Sequence, residues 1–226
     1  PSVSPPWVNE GGRVSAGAAI RAAAARLAAT SDTPRLDAEL LMAHALGVSR
    51  SDLLLLHTGK AAPAGFAALV ERRAAHEPVA YITGKQSFRD CVLRVTPDVL
   101  IPRADSESVV EAALAAALAP RRVLDCGTGS GALLLAVLVE RPGAHGVGID
   151  RSPAALAVAA DNAARLGLGE RVRMAQRDWT MPGWAEGLGR FDLILANPPY
   201  VEEAAELSPD VRDYEPAGAL FAGADG

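Results

Sequence analysis

The sequence predicts a doubly wound α/β domain preceded by a small helical bundle and a β-hairpin linker. Three observations carry that expectation. A 3.6-residue apolar period runs from Arg13 to about His76, β-forming residues broken by Pro78 and Pro97 fill Glu77 to Pro102, and helical and continuously apolar segments alternate from Asp105 onward. The expected organisation is a helical domain at residues 1–76, a hairpin linker at 77–102 and an α/β domain at 103–226.

In the first segment Ile20, Leu27, Leu36, Leu40 and Leu41 recur near the helical period, with Ala filling between them. Pro34 opens one helix and Gly47 closes it. Ser49 caps the next with Asp52 three residues on, and Pro63 opens another, so about three or four short helices fit. In the linker Phe88, Val92, Leu93, Val95, Val99 and Ile101 favour strands, and Arg89-Asp90 suits a tight turn. The third segment reads as helix 106–118, strand 122–126, helix 130–140, strand 146–150, helix 153–166, strand 172–176 and strand 191–196. Strands as continuously apolar as Phe191 to Ala196 fit a parallel sheet covered on both faces, with right-handed crossovers.

Composition narrows the function. The chain has 226 residues, 50% of them apolar and 4% aromatic, with a net charge of −5, which is a globular composition. No apolar run is longer than Ala132 to Val139, which falls well short of the ~18–20 residues that cross a bilayer. The N-terminal stretch has neither a basic start nor an apolar core of the signal-peptide kind, so an intracellular, cytoplasmic protein is expected. Two cysteines, Cys91 and Cys126, read as buried small hydrophobes in a reducing compartment. The four histidines, His44, His57, His76 and His145, lack metal-ligand spacing, so no metal is expected. The acidic balance argues against tight sequence-independent binding to nucleic acid.

Two motifs carry chemistry. The run Asp125-Cys126-Gly127-Thr128-Gly129-Ser130-Gly131 passes from a strand into a helix through three glycines, which permit positive φ and close approach of a ligand. Asp150 ends the next strand, where a carboxylate can accept both hydroxyls of a ribose, so the pair marks a nucleoside site at the carboxyl edge of the sheet. Gly127, Gly129 and Ala132 also satisfy G-x-G-x-x-A, so this loop alone does not separate a nicotinamide cofactor from S-adenosylmethionine. The second motif is Asn197-Pro198-Pro199-Tyr200, after the last of these strands. Pro198 biases Asn197 toward extended backbone, so the Asn197 side chain and the Pro198 carbonyl can face one pocket. Two acceptors there would take the two protons of a planar –NH2 group and free its lone pair, while Tyr200 stacks on the substrate plane.

Together these residues resemble the class I S-adenosylmethionine-dependent methyltransferases that modify planar amino or amide nitrogens. Glu77-Pro78-Val79-Ala80-Tyr81-Ile82 with Gly84, then Phe88, Val99-Leu100-Ile101-Pro102-Arg103 and Glu107, resemble the peptide-chain release factor glutamine methyltransferase family, over roughly Arg35 to Gly226. That resemblance implies methyl transfer to the glutamine amide in the Gly-Gly-Gln loop of class 1 release factors, which would be the partner, with the helical domain as docking surface. Glutamine methylation of a ribosomal protein, adenine methylation in nucleic acid, and a non-catalytic binding module are the alternatives.

Carried over by residue, the resemblance implies that Gly127, Thr128, Gly129, Ser130 and Gly131 surround the cofactor's methionine and ribose, with Asp150 on the ribose hydroxyls. Trp179 would lie beside the adenine or else in the core. Asn197, Pro198, Pro199 and Tyr200 would grip the substrate amide, and Asn197 would also touch the cofactor. Phe88 would wall the same pocket or lie in the core. Asp125 would meet the cofactor's amino group or cap the turn. Arg103 sits where the family has Pro-Arg-Pro, with Ala104 in place of the second proline. The resemblance also implies a seven-stranded sheet in the order 3-2-1-4-5-7-6, of which this sequence supplies strands 1 to 4. A fragment with an open, apolar edge at strand 4 and weak or absent activity is therefore expected.

Overall fold

The computed structural model describes residues 14–222. The chain divides into two compact units, Pro1–Thr83 and Gly84–Gly226.

The first unit is helical: α1 (Ala16–Leu27), α2 (Pro34–Leu46), α3 (Arg50–Asp52) running into a π-helical turn (Leu53–His57), α4 (Phe66–Ala74) and α5 (Val79–Thr83). Its ends follow local chemistry. Ser15 and Ser49 accept the amides of Ala18 and Asp52 at the starts of α1 and α3, and Gly47 closes α2 at φ +68. Ile20, Leu27, Leu41, Met42, Leu53, Phe66 and Val70 fill the core. Leu36 is exposed and Leu40 half-buried, because α2 turns Asp37, Ala38, Leu41 and Met42 inward instead. Burying Asp37 requires partners, and it has three: Arg73 Nε at 2.7 Å, Ser31 Oγ at 2.8 Å and Thr33 Oγ1 at 3.0 Å.

The hairpin is shorter than the β-forming stretch suggests. After Pro78 the chain winds into α5, with the Tyr81 and Ile82 amides donating to the Pro78 carbonyl, and Ile82 joins the bundle core. Pairing is then confined to β1 (Lys85–Phe88) and β2 (Cys91–Arg94), antiparallel, with Phe88 opposite Cys91. Arg89-Asp90 is the two-residue turn, with Arg89 at φ +49. The Arg89 amide donates to Glu107 and its guanidinium to Glu140 at 3.0 Å, which holds that uncommon backbone in place.

From there the second unit alternates as α6 (Asp105–Ala116), β3 (Arg122–Cys126), α7 (Ala132–Glu140), β4 (His145–Asp150), α8 (Pro153–Arg165), β5 (Val172–Gln176) and β6 (Leu193–Ala196). Two short helices follow, α9 (Pro209–Arg212) and α10 (Ala217–Leu220). The sheet is parallel in the order β5-β4-β3-β6, that is, 3-2-1-4 in the order of its strands along the chain. Helix α7 begins two residues later than its apolar pattern suggests, because Gly131 stands at φ +85. Leu134, Leu135, Val137 and Leu138 of α7 are buried with Val123 and Leu195 of the sheet, Val110 of α6 and Phe88 and Leu93 of the hairpin. Among the described residues β6 is an edge strand, and Ile194 is 62% exposed on it, so this strand is not covered on both faces. Asn162 of α8 is fully buried; it donates to the carbonyls of Arg94 and Ser130 and accepts the Arg94 amide at 2.7 Å, joining hairpin, helix and glycine loop. Cys91 and Cys126 are buried thiols. No helix among the described residues is long and apolar enough to cross a membrane.

Candidate active site

The carboxyl ends of the strands open into a cavity of about 340 Å³. Its floor is the turn between β3 and α7. The Gly127 and Thr128 amides both donate to the Ile149 carbonyl at 2.9 Å, and the Gly131 amide returns to Thr128 at 2.7 Å, so the turn is drawn tightly over β4. Gly127, Gly129 and Gly131 all have positive φ. At Gly127 the lack of a side chain is also a packing requirement, since a Cβ would stand 2.7 Å from Cη2 of Trp179.

Two carboxylates of different character line this floor. Asp150 accepts the Gly129 amide at 3.0 Å on one oxygen and the Ser152 amide at 2.9 Å on the other. Each oxygen keeps a lone pair for a ligand hydroxyl. Asp125 is 1% exposed; its Oδ2 accepts the Thr128 hydroxyl at 2.7 Å, and its Oδ1 is buried with no partner. Burial pushes the Asp125 carboxyl up to about 6, against the Thr128 hydrogen bond and the Leu134 backbone amide, with the charge of Asp150 adding to the rise. Asp125 therefore does cap the turn, and its unpartnered Oδ1 is buried behind the cavity that the residue lines. An oxygen so placed lacks a hydrogen-bond donor, and a donor brought to it would relieve the cost of its burial. By contrast, burial pushes the Cys126 thiol up to about 11, so it is an inert core group.

Trp179 forms a further wall, half-buried over Leu124, Cys126, Val147 and Ile149. Asn197 and Pro199 also line the cavity, whereas Pro198 and Tyr200 lie outside the lining, and Tyr200 is 75% exposed. No hydrogen bond within the described residues engages the Asn197 side-chain amide, which leaves its carbonyl available. Gly127, Thr128, Gly129, Ser130, Asp150, Trp179, Asn197 and Pro199 are thus brought to one cavity. Gly131 shapes the turn without lining it. Phe88 is not brought there: it is 1% exposed in the core with Leu93, Val110 and Leu133. The two-residue turn at Arg89-Asp90 points the preceding side chain inward, so Phe88 belongs to the core and not to a substrate wall.

Motif reading missed one side of the cavity, formed by Val99, Leu100, Pro102 and Arg103 together with Pro216, Gly218 and Ala219. Arg103 pairs there with Glu215. These two residues are 112 positions apart, and no local pattern links them.

A parallel sheet in this order, a glycine turn after its first strand, a carboxylate ending the second and Asn-Pro-Pro-Tyr after the fourth define a class I S-adenosylmethionine-dependent methyltransferase. Comparison with known proteins agrees. A methyltransferase domain model matches residues 119–215, and the PrmC N-terminal domain model matches residues 18–84. The release factor glutamine methyltransferase of Cereibacter sphaeroides is 46% identical over 214 residues, covering 92% of this chain and 75% of its own length. The proteins of the same name from Mycolicibacterium smegmatis and Bordetella pertussis are 45% and 46% identical, covering 92% and 88% of this chain and 74% and 75% of their own lengths. The chain belongs to the release factor glutamine methyltransferase family.

Proposed function

We propose that this protein methylates the side-chain amide nitrogen of the glutamine in the Gly-Gly-Gln loop of class 1 release factors, in the cytoplasm. The observation that carries the reading is Asn197, with its amide unengaged, lining a cavity whose floor pairs Asp150 with Asp125, whose buried Oδ1 lacks a partner. The relatives named above supply the substrate class. S-Adenosylmethionine supplies an electrophilic methyl on a sulfonium.

The remaining work falls to the chain. Asp125 would face the cofactor's amino group, Asp150 would hold its ribose hydroxyls, and Trp179 would flank its adenine. An amide nitrogen is a poor nucleophile because its lone pair is conjugated. The Asn197 side-chain carbonyl and the Pro198 carbonyl each accept a hydrogen bond from one of its N–H groups, which fixes the –NH2 plane and turns its lone pair toward the methyl group; as the nitrogen takes the methyl from the sulfonium it releases one proton. Tyr200 lies on the substrate face, where its exposure in the free protein leaves the ring open to stacking. Catalysis is then positioning and exclusion of water. Every residue lining the cavity belongs to the second unit, so we assign docking of the protein substrate to the helical unit.

The test is transfer from labelled S-adenosylmethionine to a class 1 release factor, beside the same factor with its Gly-Gly-Gln glutamine replaced. Label on the unaltered factor alone supports the reading. Label on both moves the target elsewhere on the factor, and label on neither, with cofactor still bound, removes the release factor as substrate.

A further inference from the structure

Residues 214–222 form a strap across one side of the cavity, fastened at three points. Glu215, 6% exposed, accepts the Arg103 guanidinium and the Ile101 amide. Arg151, directly after Asp150, donates to the Gly218 carbonyl at 2.9 Å. Val201 donates to Leu220 at 3.0 Å and accepts from Ala222 at 3.1 Å, a parallel bridge to Phe221.

The third fastening matters because Val201 directly follows Asn197-Pro198-Pro199-Tyr200. Pro198 and Tyr200 are exposed, so burial does not set the motif's direction. Its upstream end is fixed by β6, where Ala196 pairs with Cys126. Its downstream end is held by the Val201 bridge. The strap is therefore the second of two anchors, and its own buried anchor is the carboxylate of Glu215. Burial raises the affinity of Glu215 for a proton, and the facing Arg103 and the Ile101 amide oppose this and favour the charged form; the carboxylate of Asp210, near the same group, acts against it. Breaking such a pair from one side leaves a buried charge unmatched.

We propose that Glu215 is a positioning residue for methyl transfer: by gripping Arg103 and the Ile101 amide it seats the strap, and the strap's pairing with Val201 holds Asn197 to Tyr200 in register with the cavity. The proposal rests on the reaction assigned above. It places a determinant of turnover outside both chemical motifs.

The experiment measures kcat on a release factor, affinity for S-adenosylhomocysteine and melting temperature for Glu215→Ala, Glu215→Gln, Arg103→Ala, Arg103→Lys and the double Ala variant. Glu215→Ala is expected to lower kcat by about tenfold and to weaken S-adenosylhomocysteine binding by less than that. The double variant should lose no more than either single one, because the two side chains act as a unit, and Arg103→Lys should recover part of the loss. An unchanged kcat per folded molecule, or losses in the double variant equal to the product of the two single losses, overturns the proposal. Where Glu215→Ala fails to fold, Glu215→Gln keeps the volume and the acceptor for Ile101, and the same fall in kcat is expected. A wild-type protein that labels no release factor overturns the reaction and this role together, whereas active wild type with an indifferent Glu215 overturns this role alone.

Discussion

At Asp125, one buried carboxyl ties stability to pH. Its ordinary value of 3.8 rises to about 6 in the folded protein, chiefly through burial. Between those values the folded state binds more proton than the unfolded chain, so the contribution is favourable below pH 4 and is lost as pH rises through 6. The displacement of roughly two units corresponds to about 3 kcal/mol of destabilisation at pH 8. Asp125→Asn keeps an acceptor for Thr128 and removes the charge. It should raise the melting temperature at pH 8, raise it little at pH 4, and weaken S-adenosylhomocysteine binding at pH 8. A variant no more stable than wild type at pH 8 would contradict the assignment of strain to this carboxylate. Asn197 is the residue proposed to act on the other component of the reaction. Asn197→Ala removes one of two acceptors while leaving the turn, Asp125 and Asp150 intact, so kcat should fall by about a hundredfold or more while affinity for S-adenosylhomocysteine changes by less than about threefold. Calorimetry showing equal losses in both would place Asn197 with the cofactor instead of the substrate amide.

At the scale of elements, the π-helical turn of the first unit is the least ordinary feature. The amides of Ala16 and Gly17 donate to Lys60 and Thr58 at 2.7 and 2.8 Å, so the segment directly after this turn is fixed against the start of α1. Leu53 is buried, while Leu55 and Leu56 are 79% and 69% exposed, an apolar display with no role in the bundle core. Covering one leucine contributes about 1.5–3 kcal/mol. If the release factor docks there, Leu55→Ser with Leu56→Ser should raise KM by about tenfold or more and leave kcat and the melting temperature near wild type. An unchanged KM would move docking to another face. The elements that sequence discloses are those with local causes: caps at Ser49 and Gly47, a two-residue turn at Arg89-Asp90, and glycines where the β3–α7 turn needs positive φ. Those it hides depend on distant partners. Asp37 is inward because Arg73, 36 positions on, meets it beside the nearby Ser31 and Thr33, and Phe88 is a core residue because α6 and α7 pack on the hairpin. Glu215 has its meaning only through Arg103, far back in the chain.

For the whole molecule, the division into two units separates the bundle core from the cavity. The bundle core draws only on residues up to Ile82, and the cavity only on residues from Asp98 onward. A ligand that binds the folded state alone stabilises by about 2.7 kcal/mol at roughly a hundred times its Kd, and that gain belongs to whatever must open to release it. With saturating S-adenosylhomocysteine, amide hydrogen exchange should slow in β3, β4 and the glycine turn, where Gly127 and Thr128 share the Ile149 carbonyl. It should also slow at Val201 and Ala222, whose amides fasten the strap. The amides of α1, α2 and α4 should keep their rates, since none of their residues lines the cavity. Exchange followed by mass spectrometry with and without the ligand reads both sets at once. Slowing of the bundle equal to that of the sheet would mean that the cavity's opening reaction includes the helical unit, and the second unit would then lose its place as the sole seat of cofactor-linked stability. Slowing at the glycine turn without slowing at Val201 would detach the strap from the cofactor site and leave its pairing with the Asn-Pro-Pro-Tyr segment to act through the substrate alone.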